Sequence, residues 1–375
     1  MHRAHKIRMY PNKAQETQLR KTVGAARYAY NWALEKWKTM YEAFDNGEST
    51  EKPSANKLSA LWTEEKPGWA TETARVSQQR AIFDVGAAFQ NMWRGNAGYP
   101  KFHKKGHRDS FYVDNSKAYV RGNRVHLPRI GSVRMAEELR FTGDNMSYTV
   151  SQYAGQWHVS IQVDVEEPTS PATSPPDTVV GVDVGLASIA TTSDGTVIKV
   201  PESLDRLEVK LKGRQRALAR SQKNSRNHQK LLIKKQRVQN RINNIRKDAV
   251  HKFTAAVAKS HGTVVTESLD IRGMMKSAEA KSLRRTLSSS MMSEVIRQIS
   301  YKAAKHVKVD RFFPSSKRCS GCGSVKGRLA LSERTYVCEE CGLVIDRDLN
   351  ASINLMQAGL VKPEVPVESL ASRGH

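Results

Sequence analysis

The chain opens on alternation. Ile7 and Met9 share one face of Lys6-Ile7-Arg8-Met9-Tyr10, the pattern of a short strand; Pro11 ends it and Asn12 is placed to cap a helix. From residue 13 to 44 the apolar positions recur at helical spacing, with Leu19, Val23, Tyr30, Trp32, Leu34 and Trp37 as the expected buried set. Asn46-Gly47-Glu48-Ser49 is a polar break, and two further helices are predicted over residues 55–65 and 73–93, interrupted by Pro67-Gly68. Past Gly98 the period falls to two. Alternating runs at 110–113, 124–127, 132–135, 148–152 and 157–163, separated by Gly and Asn turns, predict a small β-barrel or sandwich. The Pro-, Thr- and Ser-rich residues 168–176 read as a linker.

A second pattern begins at Thr178. Val179, Val180, Val182 and Val184 make a nearly unbroken apolar run, as in a strand covered on both faces. Residues 189–192 and 197–200 flank Ser193-Asp194-Gly195 as a hairpin. Residues 203–260 are helical with a break near 221–227, Val264-Val265-Thr266 is another buried strand, and residues 290–307 are a helix followed by a strand at 308–313. A last short helix is expected over 349–356, and the tail with Pro363 and Pro366 is expected to be disordered.

Three acids interrupt this order. Asp183 stands inside the valine run, Glu267 closes the second buried strand, and Asp348 opens the last helix in Asp346-Arg347-Asp348-Leu349-Asn350-Ala351. A buried, unpaired carboxylate is costly and needs a cation or metal. Each acid alone has an ordinary explanation: a structural Asp, a charge at a helix start for Glu267, an N-cap for Asp348. Their arrangement as strand, strand and closing helix is more specific. In a ribonuclease-H-like sheet the first and fourth strands are neighbours and the closing helix crosses them, so the three can converge. Two metals about 3.5–4 Å apart would then activate a water and stabilise the leaving oxygen in phosphoryl displacement, and hard Mg²⁺ suits an all-oxygen site. A cut-and-paste transposase of that fold would carry Asp on the fourth strand and Glu on the helix; here the order is that of RuvC. The pattern alone does not choose between Asp346 and Asp348.

All four cysteines lie close together. Cys319-Ser320-Gly321-Cys322 and Cys338-Glu339-Glu340-Cys341 flank fifteen residues, and Gly321, Gly323 and Gly342 let each pair turn. Four thiolates at this spacing close a tetrahedral zinc shell with no position left for water, a structural site. Four free buried cysteines would leave those glycines unexplained. Zinc binding would supply folding energy for so small an insert.

Charge narrows the partner. The 375 residues carry a net charge of +24, an attraction to polyanions. No apolar run approaches a membrane span, and Met1 leads into His2, Arg3, His5 and Lys6 without an apolar core. A cytoplasmic, nucleoid-associated protein is therefore expected, without membrane partners. Between Lys210 and Lys247 lie Lys212, Arg214, Arg216, Arg220, Lys223, Arg226, Lys230, Lys234, Lys235, Arg237, Arg241 and Arg246, with no acid among them. A solvated helix face usually mixes signs, so one-signed charge beside a candidate nuclease site favours phosphate contact. A second basic patch, Lys101, His103, Lys104, Lys105, His107 and Arg108, is interleaved with Tyr99, Phe102, Phe111 and Tyr112. Those aromatics suit base stacking or the core of the barrel.

The chain resembles the TnpB (OrfB) family of transposon-encoded RNA-guided nucleases, related to type V CRISPR effectors. The resemblance rests on Met9-Tyr10-Pro11-Asn12-Lys13, Arg27-Tyr28-Ala29-Tyr30-Asn31-Trp32-Ala33-Leu34 and Tyr99-Pro100-Lys101-Phe102. It rests further on Gly181-Val182-Asp183-Val184-Gly185-Leu186, Val264-Val265-Thr266-Glu267-Ser268-Leu269, Pro314-Ser315-Ser316-Lys317 and the segment from Asp346 to Ala351. It implies a multidomain α+β chain: a wedge β-barrel (1–10 and 96–166) interrupted by a helical recognition domain (11–95), and a linker (167–178). A RuvC-like, ribonuclease-H-like α/β nuclease domain (179–313 and 344–360) follows, with an inserted target-nucleic-acid-binding zinc ribbon (314–343) and a tail (361–375). It also implies a guide RNA from the transposon end, a double-stranded DNA target and a short flanking motif. The family motif places the third carboxylate at Asp348. The expected activity is Mg²⁺-dependent DNA cleavage at Asp183, Glu267 and Asp348 with structural Zn²⁺ at the cysteines. A non-cleaving RNA-guided regulator would lack one of these acids, and a transposase acting directly on transposon ends is disfavoured by the RuvC order.

Overall fold

The computed structural model describes residues 2–106, 109–165, 178–186, 188–198, 201–223, 225–330 and 332–361. The expected linker at 168–176, the tail at 362–375, and His107 and Arg108 lie outside them. The chain divides into two compact units, Met1–Glu167 and Pro168–His375.

In the first unit, β1 (His2–Tyr10) leads through Asn12 into α1 (Lys13–Asp45). The Asn12 carboxamide accepts from the Gln15 N–H at 2.8 Å and Gln15 Oε1 accepts from the Asn12 N–H at 3.1 Å, a reciprocal cap. After α2 (Ala55–Glu65), Gly68–Glu72 winds as a 3₁₀ turn, so α3 (Arg75–Trp93) starts two residues later than its pattern suggested. Alanines 26, 29 and 33 of α1 are buried; they keep its core-facing side narrow, and Trp37 stacks on Phe89 of α3 with centroids 4.9 Å apart. Then come β2 (Ser110–Asp114), β3 (Tyr119–Arg121), β4 (Arg124–Leu127), β5 (Gly131–Met135), β6 (Asp144–Tyr153) and β7 (Gln156–Asp164). They form an antiparallel sheet in the order β2-β6-β7-β1-β5-β4-β3, with the N-terminal strand in its middle. Its alternate residues, such as Val125, Val133, Val159 and Ile161, are fully buried. β3 was invisible in the pattern because this edge strand has no buried residue.

The second unit holds β8 (Val179–Asp183), β9 (Ala190–Thr192), β10 (Val197–Ile198), α4 (Ser203–Arg220), α5 (Arg226–Ser260) and β11 (Thr263–Glu267). It continues with α6 (Ile271–Ser277), α7 (Lys281–Ser289), α8 (Met292–Lys302), β12 (Lys305–Val309), β13 (Thr335–Val337), β14 (Val344–Asp346) and α9 (Arg347–Val361). The five-stranded sheet runs β10-β9-β8-β11-β12, with β8, β11 and β12 parallel and β9 antiparallel to both its neighbours, β8 and β10. The expected helix at 290–307 and strand at 308–313 are corrected here: the helix ends at Lys302 and the strand occupies 305–309. The reason is the switch to alternation at His306-Val307-Lys308-Val309, whose two valines join one apolar cluster beside β11.

Both sheet faces are covered, which is why the strands read as continuous valine. Val180, Val182 and Val264 meet Val250, Phe253, Val257, Val295 and Ile299 of α5 and α8. On the other face Val179, Val265, Val307 and Val309 meet Leu355 and Ala358 of α9. Gly181 lies directly under α9: a Cβ there would stand 2.6 Å from the Met356 backbone nitrogen. Among the described residues no helix is long and apolar enough to cross a membrane.

Candidate active site and metal centres

Asp183 and Glu267 are the last residues of β8 and β11, one rung beyond the paired Val182 and Thr266. Strand alternation puts Asp183 on the side of Val179 and Gly181, and Glu267 on the side of Val265. Both therefore project toward the face that α9 covers. The first turn of α9 carries the third acid. Asp348 Oδ2 accepts a hydrogen bond from Ser188 Oγ at 3.1 Å, and Ser188 is itself 3.2 Å from Thr191 Oγ1 of β9.

Asp346 has a different task. Its Oδ1 accepts from the N–H groups of Asp348 at 2.9 Å and Leu349 at 3.0 Å, so it caps α9. The ambiguity between the two acids is thereby one of geometry: one is engaged by the helix end, the other by a serine of the neighbouring loop.

The electrostatics follow from enclosure. Burial, then repulsion by Asp348 and by Glu267, pushes Asp183 up to about 7, with Arg347 opposing and Asp346 adding to the shift. Burial alone pushes Glu267 up to about 7. These oxygens cannot all be charged cheaply next to one another, and a divalent cation would remove the conflict. Glu267, Asp183 and Asp348 supply only hard oxygen donors, a set that fits Mg²⁺. Ser188 was missed by sequence reasoning, since a serine in a polar turn has no pattern to betray it.

The cysteines make a tighter cluster. Among the described residues, Cys319, Cys322, Cys338 and Cys341 are the group whose ligand atoms all lie within 4.8 Å of one another; the acids are not drawn that close. Cys319 Sγ is 3.6 Å from Cys341 Sγ and Cys322 Sγ is 3.6 Å from Cys338 Sγ, with no disulfide. Sulfurs at the corners of a zinc–thiolate tetrahedron stand roughly 3.8 Å apart for Zn–S of about 2.3 Å. The residues fit the ion. Fully buried Tyr336 of β13 packs against Cys319 and Cys338, and its hydroxyl donates to the Lys317 carbonyl at 3.1 Å.

Sequence comparison gives the context. Residues 160–278 match the OrfB_IS605 family model, described as "Probable transposase", and residues 293–355 match "Cas12f1-like, TNB domain". Residues 1–46 match a model described as "Helix-turn-helix domain", although here 2–45 hold one strand and a single helix. The "Putative RNA-guided DNA endonuclease InsQ" of Escherichia coli (strain K12) is 33% identical over 373 residues, spanning 95% of this chain and 92% of that one. A Streptomyces pristinaespiralis protein named "Putative RNA-guided DNA endonuclease" is 33% identical over 96% of this chain and 89% of its own. A "TnpB-like protein L79" of Acanthamoeba polyphaga mimivirus matches 36% of the chain, and 27% of its own length, at 27% identity.

The chain belongs to the TnpB family.

The TnpB chain also shares a fold with the protein in a "Cryo-EM structure of the Cas12f1-sgRNA-target DNA complex", at a TM-score of 0.58 and 14% identity, covering 95% of this chain and 98% of that one. Its basic surfaces are laid open by the helices that carry them. In the TnpB chain Arg220, Arg226, Lys230, Lys234 and Arg241 are exposed on α4, α5 and their junction, and Arg214 is half-buried. Arg246 instead folds onto Glu208 at 2.8 Å, joining α5 to α4. In the first unit Lys101, Lys104 and Lys105 are exposed, as are Tyr99 and Phe102, over which Lys38 sits at 5.9 and 4.7 Å. Phe111 is buried in the sheet core and His103 stacks on Tyr30 at 3.7 Å. The expected patch therefore divides into a solvent-facing part and a packing part.

Proposed function

We propose that this TnpB-family chain is an RNA-guided DNA endonuclease of a transposon, cutting through a RuvC-type site formed by Asp183, Glu267 and Asp348. One observation carries the reading. Two half-buried carboxylates stand at the ends of adjacent parallel strands, under a helix whose first turn presents a third, and burial together with the two neighbouring acids raises Asp183 against the opposing charge of Arg347. The sheet order, with β9 alone running against the other four strands, supports a ribonuclease-H-like domain. The seven-stranded sheet and the helices α1 to α3 support the wedge and recognition roles.

Asp183, Glu267 and Asp348 would hold Mg²⁺, which supplies an activated water and charge stabilisation at the leaving oxygen. The protein's own contribution is placement. Ser188 orients the Asp348 carboxylate, Asp346 fixes the helix start, and the enclosing valines keep the site's dielectric low. Zn²⁺ would be held by Cys319, Cys322, Cys338 and Cys341. Arg214, Arg220, Arg226, Lys230, Lys234 and Arg241 would follow phosphate backbones, with Lys101, Lys104 and Lys105 contacting a second stretch and Tyr99 and Phe102 stacking on bases. The names of the two bacterial relatives support a guide RNA and a DNA target as partners.

The test is purification with co-expressed transposon-end RNA, followed by cleavage and binding of a matched duplex. Asp183→Ala should abolish cleavage and leave RNA-dependent binding intact. Equal loss of both would make Asp183 a structural residue and sink the nuclease assignment, and a preparation carrying no discrete RNA would favour direct DNA recognition.

A further inference from the structure

The helix that carries Asp348 is fastened to both halves of the cysteine site. The second cysteine pair is attached through the chain itself: six residues after Cys341, β14 has run directly into α9 at Arg347. There the Arg347 N–H donates to the Arg334 carbonyl at 2.8 Å, and its guanidinium reaches the Ala330 carbonyl at 3.0 Å.

The first pair is attached by side chains. Asn350 Nδ2 donates to the Arg318 carbonyl at 2.7 Å, and its Oδ1 accepts from the Ser320 N–H at 2.9 Å. One turn on, Asn354 Nδ2 donates to the carbonyls of Ser315 at 2.9 Å and Arg318 at 2.7 Å. Gln357 Nε2 donates to the Ser320 carbonyl at 3.0 Å. The three amides sit at i, i+4 and i+7, one stripe of the helix, and they grip the backbone on either side of Cys319. Asn350 and Asn354 are completely buried, and Asn354 Oδ1 has no partner. An apolar side chain would avoid that orphaned oxygen, so the donor must be worth its penalty.

We propose that Asn350, Asn354 and Gln357 are positioning residues that make the four-cysteine site a brace for Asp348. Holding the two cysteine pairs together fixes the knuckle, the knuckle fixes the stripe, and the stripe fixes the first turn of α9. The role of Asp348 in this rests on the proposed nuclease function; the coupling between helix and cysteines does not. Because coupling is reciprocal, loosening the stripe should also loosen the zinc.

The experiment uses the full chain, zinc-loaded and with its co-purified RNA, as wild type, Asn350→Ala and Gln357→Ala. Zinc release to a chromogenic chelator is followed first. The Mg²⁺ concentration giving half-maximal cleavage is then measured, with RNA-dependent target binding as control. Each variant should release zinc faster by about fivefold or more, the factor that one net hydrogen bond carries. Half-maximal Mg²⁺ should rise severalfold with binding unchanged. A merely structural role would lower the melting temperature and leave the Mg²⁺ requirement where it was. Half-buried Gln357 keeps the test alive should Asn350→Ala fail to fold. Unchanged zinc release in the folded variants overturns the brace, and faster release with an unaltered Mg²⁺ requirement overturns its action on Asp348. A wild-type chain that does not cleave removes the nuclease reading, while the zinc measurement still tests the coupling.

Discussion

Replacing Gly181 by Ala tests how the carboxylates are brought together. Gly181 lies two residues before Asp183, where α9 rests on β8. An added Cβ would be 2.6 Å from the Met356 nitrogen and 3.0 Å from the Ser352 carbonyl carbon, and closer still to the Ser352 oxygen. Every one of these atoms is helix backbone, so no rotamer change relieves the overlap. Ordinary contact begins at 3.4 Å, so α9 has to retreat by about 1 Å, as judged at the nitrogen, and Asp348 moves with it. Overpacking of this kind destabilises by about 1–3 kcal/mol, a melting shift of roughly 3–10 °C for a unit of this size. A displacement of about 1 Å in a catalytic group costs on the order of 10²-fold in rate. Single-turnover cleavage of a matched duplex should therefore fall about a hundredfold while the RNA-bound protein still captures its target. Gly213→Ala in α4 is the control: its Cβ meets nothing within 4 Å, so the melting temperature and the cleavage rate should both hold. If Gly181→Ala cleaves at the wild-type rate with an unchanged melting temperature, α9 is not seated by that glycine and the proposed convergence is wrong.

Other predictions separate neighbouring roles. Asp346→Ala should lower stability by about 1 kcal/mol through its lost cap and keep measurable cleavage, whereas Asp348→Asn should remove cleavage at little cost in stability; the reverse ranking in a paired melting and cleavage assay would reassign the third acid. His306, hydrogen-bonded to Thr266 Oγ1 at 2.9 Å, is held down to about 4 by burial and then by Lys308, against an ordinary 6.5. The unfolded chain therefore gains a proton that the folded one refuses. Stability should be intact above pH 6.5 and fall as pH drops toward 4, by about 2–3 kcal/mol or less given residual solvent screening; denaturant titrations of His306→Asn should show a shallower acid slope. Replacing Lys230 and Lys234 together by Gln should weaken target binding for all matched sequences alike and reduce the slope of log affinity against log salt by about 1–2; an unchanged slope would remove α5 from the backbone contacts.

Much of the fold is legible because local pattern and tertiary need coincide. The helices α1, α2 and α5 and the valine strands β8 and β11 announce themselves through period and composition. Elements with little to bury do not: α6 has no fully buried residue among its described side chains, and the edge strand β3 has none either. The boundary between α8 and β12 was misplaced because Ile299, Ala303 and Val307 are also four apart, so a strand valine extended the helical period by accident. The cysteine cluster was readable from spacing alone, since its ligands are local. Ser188 and the Asn350–Asn354–Gln357 stripe were not, because a hydrogen bond to a backbone carbonyl leaves no periodic trace in either partner.

That contrast explains where the acids belong. A carboxylate in a valine strand works against folding, and three close together work against it more than one. Such a group is stable in place only if the surrounding structure is over-determined. Here that surplus is visible on each side of the site: apolar packing of the sheet against α5 and α8, the glycine seat under α9, the Asp346 cap, and the amide stripe to the cysteine knuckle. In the proposed site α9 has to bring Asp348 to two strand ends it does not belong to, and three of these supports, the glycine seat, the Asp346 cap and the amide stripe, act on that helix. A metal site built from distant parts of a chain needs its latest-arriving ligand held most firmly, because a loosely held ligand would yield to repulsion before a cation could bind. The concentration of buried polar bonds on one helix is what that requirement predicts.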